Sequence, residues 1–249
     1  MNEIKTNRII EWNGNFDREQ LSEMIQRRIR IEKIAIKDVK LRTFITEDNS
    51  RNEMVQHVYD ITYGTVRKDT DTLVVIDDSI VRGTTLKESI VRMLGRLHPK
   101  KIIIVSSAPQ IRYPDCYGID MSKLGDFVAF RAAIALIKEN KMESLLETLH
   151  QQLLKMQQSN QLHTENLVKQ IYKPFSTEIL SQKIASLITP EGFPIPVEVI
   201  YQNIESLHES CPGNKGDWYF TGDYPTPGGN KVCNKALLNY LEGKNIRAY

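Results

Sequence analysis

Three cysteines in 249 residues, Cys116, Cys211 and Cys233, are odd in number and widely separated. They give no disulfide framework and no pair at metal-ligand spacing, so free thiols in a reducing compartment are expected. No apolar run approaches the length of a membrane span, and residues 1–30 hold no apolar core of a secretory signal. A cytoplasmic protein with no membrane contact is the expectation. An excess of one charge is missing as well: 33 basic residues face 31 acidic ones. That balance offers no footing for nucleic acid. Histidine is scarce and scattered, at His57, His98, His150, His163 and His208. None stands in a His-x-x-x-His or His-Glu pattern, which argues against an imidazole-centred site. Internal repeats are absent.

What the chain does have is alternation of strand and helix signals. Residues 16–36 read as an amphipathic helix, with Asp17 to cap it and Leu21, Met24, Ile25 and Ile29 as its stripe. Arg27, Arg28 and Arg30 on it fit a solvated face better than a phosphate site. Lys40 to Ile45 reads as a strand, and Ser50 with Glu53 forms a capping box opening a helix that Gly64 ends after Tyr63. Buried strands are expected at Leu73–Ile76 and Ile102–Val105, with helices over about 84–97 and 126–139, the latter capped by Asp126. Leu145, Leu149, Leu153 and Met156 continue the helical spacing into a glutamine-rich stretch, 151–170, that suits an exposed helix or linker. A helix near 176–188, a Pro-Gly break and a mixed segment from Val197 follow, then a Gly- and Pro-rich loop over 211–230. The fold class is α/β, a parallel sheet flanked by helices with right-handed crossovers and a helical C-terminal appendage. The expected division is an N-terminal helical segment (1–39), a core (40–142), a helical connector (143–175) and a C-terminal cap region (176–249).

The most informative run is Leu73-Val74-Val75-Ile76-Asp77-Asp78-Ser79-Ile80-Val81-Arg82-Gly83-Thr84-Thr85, followed by Leu86, Ile90, Met93, Leu94 and Leu97 at helical spacing. Strand, polar loop, helix is the layout in which backbone N–H groups and a helix dipole hold phosphate. The adjacent carboxylates add a grip for vicinal hydroxyls or a divalent metal. A ribose 5-phosphate presents both features. The same residue types also serve in a turn that merely caps the next helix, and the ligand reading rests on open α/β sheets binding at strand carboxyl ends.

This run resembles the phosphoribosyl pyrophosphate loop of the type I phosphoribosyltransferases and, in its full form, that of the amidophosphoribosyltransferase family. Arg42-Thr43-Phe44-Ile45, Ser106 to Pro114, Tyr117-Gly118-Ile119-Asp120-Met121 and Phe220 to Thr226 are similar to further segments of that family, in the same order. The resemblance implies that Asp77 and Asp78 bind the ribose 2- and 3-hydroxyls and help place Mg²⁺. It also implies that the backbone from Ser79 through Ile80, Val81, Arg82 and Gly83 to Thr84 and Thr85 wraps the 5-phosphate. Gly83 would permit close backbone approach, while Arg82 fits either added charge or plain surface. No general acid or base is assigned, because pyrophosphate is already a good leaving group. The implied reaction is displacement of pyrophosphate by ammonia to give phosphoribosylamine in purine synthesis. Phosphoribosyl pyrophosphate and purine nucleotides would be the ligands, and a homo-oligomer the assembly.

The chain departs from that family in four respects. Asn2 stands where the glutaminase domain needs cysteine, and no segment resembles that domain, so it is a missing partner. The residues before Arg42 are too few for the early strands, which makes the expected fold incomplete at its N-terminus. Thr46 to Gly64 offers only Arg51 and His57 against the acids Glu47, Asp48, Glu53 and Asp60, a poor cover for pyrophosphate. Relatives with an iron–sulfur cluster use cysteines where Asp115, beside Cys116, and Gly216 and Tyr219 stand here, so no cluster is expected. The expectation is therefore a piece of a longer enzyme. A non-catalytic domain of phosphoribosyltransferase fold that senses phosphoribosyl pyrophosphate or a nucleotide is the alternative. Trp218, Tyr219, Phe220 and Tyr224 fit a packed cap better than a base-stacking platform.

Overall fold

The computed structural model describes residues 18–26, 30–32, 35–37, 59–118, 121–213 and 216–248. Helix α1 spans Arg18–Gln26, and the short strands β1 (Ala35–Lys37) and β2 (Tyr59–Ile61) pair antiparallel, with Ile36 opposite Asp60. Two sequence expectations change here. Of the helix expected over 16–36, Arg18–Gln26 is helical whereas 30–32 are not and Ala35–Lys37 is strand, and Tyr59–Ile61 is strand rather than the end of a helix. Arg30 lies beyond α1, bonding Glu32 at 3.0 Å and Asp71 at 3.4 Å. The strand expected at 40–45 lies outside the described residues.

The main sheet has three parallel strands in the order β3 (Thr72–Asp77), β4 (Lys101–Ser106), β5 (Val197–Tyr201). Its register aligns Leu73 with Ile102 and Val197, and Asp77 with Ser106 and Tyr201. Between β3 and β4 the chain makes a wide π-helical turn, Leu86–Val91, continued by the single α turn α2 (Arg92–Gly95). After β4 come α3 (Val128–Glu139), α4 (Glu143–Gln158), α5 (Lys169–Tyr172) and α6 (Thr177–Ile188). Strand β5 then leads to α7 (Ile204–Ser210), α8 (Trp218–Thr221) and α9 (Pro227–Leu241).

A strand order that runs one way, with right-handed crossovers, places the connecting helices on one face of the sheet. Accordingly α3 packs on α6, and α6 packs on β5 and the π turn. Leu73, Ile102, Ile104 and Val199 meet Val128, Phe130, Ile137, Leu180 and Ile184 in one core. The opposite face carries Val74, 60% exposed, and Ile76, 75% exposed. Strand β3 is thus half-covered and, among the described residues, an edge strand, not the fully buried strand its four apolar residues suggest.

Further differences concern the later elements. Helix α3 starts at Val128, with Phe127 as its N-cap, and Asp126 belongs to a preceding 3₁₀ turn, Leu124–Asp126. The glutamine-rich stretch begins as the end of α4, where Leu149 and Leu153 are buried; Leu167, Val168 and Ile171 beyond it are buried too. The mixed segment at Val197 is the third strand of the sheet. Strand β5 thus joins β4 in one sheet, and residues of both stretches, 40–142 and 176–249, share one core. Ser176 caps α6, its hydroxyl accepting from Ile179 N.

Part of the tail packs on the loop after β4. Tyr219 donates from its hydroxyl to Asp115 Oδ1 at 2.7 Å, Tyr224 donates to the Pro114 carbonyl, and Tyr117 meets Trp218 edge-on. These contacts agree with the packed-cap reading of the aromatic cluster. Asn234, fully buried on α9, accepts from Leu167 N at 3.0 Å and donates to the carbonyls of Leu162 and Glu165.

Candidate functional site

The site begins where β3 ends. Asp77 is half-buried, and its Oδ1 accepts from the Asp78 backbone N–H at 3.0 Å. Burial, and then the neighbouring Asp78, push the Asp77 carboxyl above the usual aspartate range. Asp78 itself is exposed. Its carbonyl accepts from Ser107 Oγ at 3.2 Å, and Ser107 N donates to the Asp77 carbonyl at 2.9 Å. The residue after β4 therefore holds the acid pair from the neighbouring strand.

The loop is anchored from beneath. Ile80 is 2% exposed and drops into the core, while Val81 O accepts from Val128 N at 2.8 Å. The Arg131 guanidinium donates to the Arg82 carbonyl. Arg82 reaches Asp126 at 3.8 Å, both side chains being partly exposed. Gly83 has φ +70°, and a Cβ there would stand 2.9 Å from Ile188 Cγ2 and 3.3 Å from Val128 Cγ2. Glycine is required here by handedness and by the helices behind the loop, a reason that the sequence alone does not offer.

Thr84 and Thr85 are exposed, and Thr85 makes no side-chain cap to the turn that follows. Their hydroxyls thus remain available at the start of a helical turn. The π turn itself is an irregularity found often at functional sites. Asp77, Asp78, Ser79, Ile80, Val81, Arg82, Gly83, Thr84 and Thr85 form one continuous bend between β3 and the π turn. The chemistry on offer is a pair of carboxylates beside a bend with free hydroxyls at a helix start. Among the described residues, no three His, Cys, Asp or Glu side chains converge as metal ligands. Ser107, Val128, Arg131 and Ile188 were not apparent from the sequence as loop supports. Each lies distant in the chain and carries no local motif.

The cysteines stand apart in character. Cys211 is exposed, Cys116 is half-buried with its thiol pushed up by burial and Asp115, and Cys233 is fully buried and pushed up to about 12 by burial. His208 Nε2 lies 2.9 Å from Asp217 Oδ2, the latter just ahead of α8. Among the described residues, no helix is long and apolar enough to cross a membrane.

No family model matches the chain. It is 46% identical over 67 residues to an amidophosphoribosyltransferase of Haemophilus influenzae, covering 27% of this chain and 13% of that one. The corresponding proteins of Pasteurella multocida and Escherichia coli match at 52% over 58 residues and 40% over 67. These cover 23% and 27% of this chain and 11% and 13% of theirs. Among solved structures, glutamine phosphoribosylpyrophosphate amidotransferase of B. subtilis, in complex with ADP and GMP, aligns at a TM-score of 0.40 and 23% identity. That alignment covers 78% of this chain and 32% of that one. The sequence matches thus span about an eighth of the length of the first of these relatives. By sequence the chain is similar to the amidophosphoribosyltransferases, and the resemblance read from its Asp-Asp-Ser-Ile-Val-Arg-Gly-Thr-Thr loop is borne out.

Proposed function

We propose that the bend from Asp77 to Thr85 binds phosphoribosyl pyrophosphate, and that the chain is the phosphoribosyltransferase part of an amidophosphoribosyltransferase. The observation that carries this reading is the disposition of the acid pair. Asp77 and Asp78 stand at the carboxyl end of a parallel strand, at the start of a bend that ends in exposed threonines at a helix start. The carboxylates accept from the ribose 2- and 3-hydroxyls. The loop amides and the hydroxyls of Thr84 and Thr85 surround the 5-phosphate. Purine nucleotides, which share the ribose phosphate, compete for the same bend.

Mg²⁺ fits this donor set. The ion is commonly held by one or two carboxylates together with substrate phosphates, and Asp77 and Asp78, adjacent at the end of β3, would hold it. When bound it supplies charge neutralisation for the departing pyrophosphate. The protein's residues do the rest by holding the sugar. Ammonia forms the new C1–N bond, the C1–O bond to pyrophosphate breaks with its electron pair leaving on oxygen, and the ammonium formed on C1 gives up one proton to solvent. Positioning alone is a large part of such a rate. The whole reaction also requires a source of ammonia, which in this reading is a glutaminase domain. The protein is cytoplasmic and homo-oligomeric in this reading.

The test is calorimetric titration of the chain with phosphoribosyl pyrophosphate and Mg²⁺, followed by an assay of phosphoribosylamine formation from ammonia. Binding with turnover supports the enzyme part; binding without turnover supports a sensor; no binding removes the site.

A further inference from the structure

Strand β5 is an edge strand whose outer side meets no other strand among the described residues. Ile102 N donates to Pro196 O, and Gln202 N donates to Ser106 O. Even-numbered residues of β5 therefore turn their backbone toward β4. Val197, Val199 and Tyr201 turn theirs outward, and no partner for those groups exists among the described residues. An open edge of this kind is a template for another extended chain.

Here the edge lies in a groove. A cavity of about 1140 Å³ runs the full length of β5 and is walled on its other side by α6. Its rim carries four carboxylates: Glu178, Glu191, Glu198 and Glu205. Glu198 pairs with Lys101. No cation pairs with the other three among the described residues. Among the described residues, the one cation lining the groove is Arg112. Its guanidinium is occupied by Gln110 Oε1 at 2.7 Å and Thr177 Oγ1 at 3.1 Å, and it stacks over Tyr172. The Tyr201 hydroxyl, buried and without a hydrogen-bond partner, lines the same groove.

We propose that this groove is a docking site for an extended, lysine- or arginine-bearing peptide segment of a partner protein, which adds a strand to β5. Main-chain bonds to Val197, Val199 and Tyr201 supply the pairing, and the carboxylates without a cation partner select for positive charge. The site lies along the edge strand farthest from β3 and uses none of the residues from Asp77 to Thr85.

The experiment uses a capped peptide of alternating lysine and valine, long enough to span Val197–Tyr201, with glutamate–valine and backbone N-methylated counterparts. Binding of the lysine peptide alone, with slowed hydrogen exchange at Val199 and Tyr201, is the expected result. The double variant Glu191→Lys/Glu205→Lys is expected to bind it about tenfold more weakly, the worth of two partly exposed charge contacts. Its melting temperature and its titration with phosphoribosyl pyrophosphate should be unchanged. Equal binding of the glutamate or N-methylated peptide overturns the proposal, as does no binding at all. Protection of the same amides through concentration-dependent self-association, read by sedimentation, would assign the edge to a second copy instead and equally overturn it. The peptide arms use the unsubstituted protein and so decide the matter even if the variant fails to fold.

Discussion

The γ-methyl of Ile188, at the last turn of α6, lies 2.9 Å from the position a Cβ on Gly83 would take. The far helix thus sets the shape of the acid-and-hydroxyl bend from behind, on the side away from any ligand. Gly83→Ala must adopt φ +70° and displace Ile188 or Val128. A loss of about 1–3 kcal/mol in stability is expected, measured by urea unfolding. Ile188→Ala combined with Gly83→Ala should recover part of the steric share, and a fully additive pair would refute the contact as the cause.

Asp77 gives a pH signature. Its carboxyl is held above the usual range by burial and by Asp78, so the folded chain binds that proton more tightly than the unfolded chain does. The stability this group contributes is complete in acid, below the ordinary aspartate value, and is lost as pH rises through the raised one. Asp77→Asn keeps the acceptor for Asp78 N but not the charge. It should therefore melt higher than the parent protein at neutral pH, with the difference closing in acid. A difference independent of pH would show that Asp77 carries no such cost.

Ligand contacts are separable from the fold at the exposed positions. Asp78→Ala and Thr84→Ala should each weaken phosphoribosyl pyrophosphate by about 1–3 kcal/mol, the cost of stranding a polar partner. Neither should shift the melting temperature appreciably. Calorimetry that finds the affinity unaltered would withdraw these residues from the site.

Thiol reactivity should follow burial. Cys211 is exposed, Cys116 half-buried and Cys233 fully buried with its thiol pushed up to about 12. A chromogenic disulfide at neutral pH should label Cys211 first, Cys116 more slowly and Cys233 only on unfolding. Early labelling of Cys233 would mean that the packing of α9 opens readily.

Asn234 ties α9 to the chain before α5 through three bonds to backbone groups. Asn234→Ala strands them in a buried setting, and a loss of about 1–3 kcal/mol or more is expected. Asn234→Asp sets a carboxylate against two carbonyls and should cost more still at neutral pH. Denaturant unfolding of the two variants reads both, and the reverse order would contradict the assigned amide orientation.

Much of this was legible because it is local. The strand at Leu73–Ile76, the bend behind it and the helical spacing from Leu86 lie within one short stretch, where pattern and chemistry coincide. The bareness of Val74 and Ile76 was not legible. A four-residue apolar run reads as buried on both sides, and only the one-way strand order leaves one face uncovered. Val197–Tyr201 was missed as a strand since Glu198 interrupts a short run after a proline-rich break. Its identity comes from pairing with β4, which no local window contains. The supports at Ser107, Val128, Arg131 and Ile188 were invisible for the same reason.

The interval from 107 to 196 separates the paired strands β4 and β5. Closing a loop of that size forfeits chain entropy before any strand contact repays it, and contacts so distant along the chain slow folding. During synthesis, β3 and β4 emerge long before their third neighbour, with α3 to α6 made in between. Completion of the sheet is therefore a late event, and a nascent chain stopped short of Tyr201 exposes a second unsatisfied strand border to the chaperones around it.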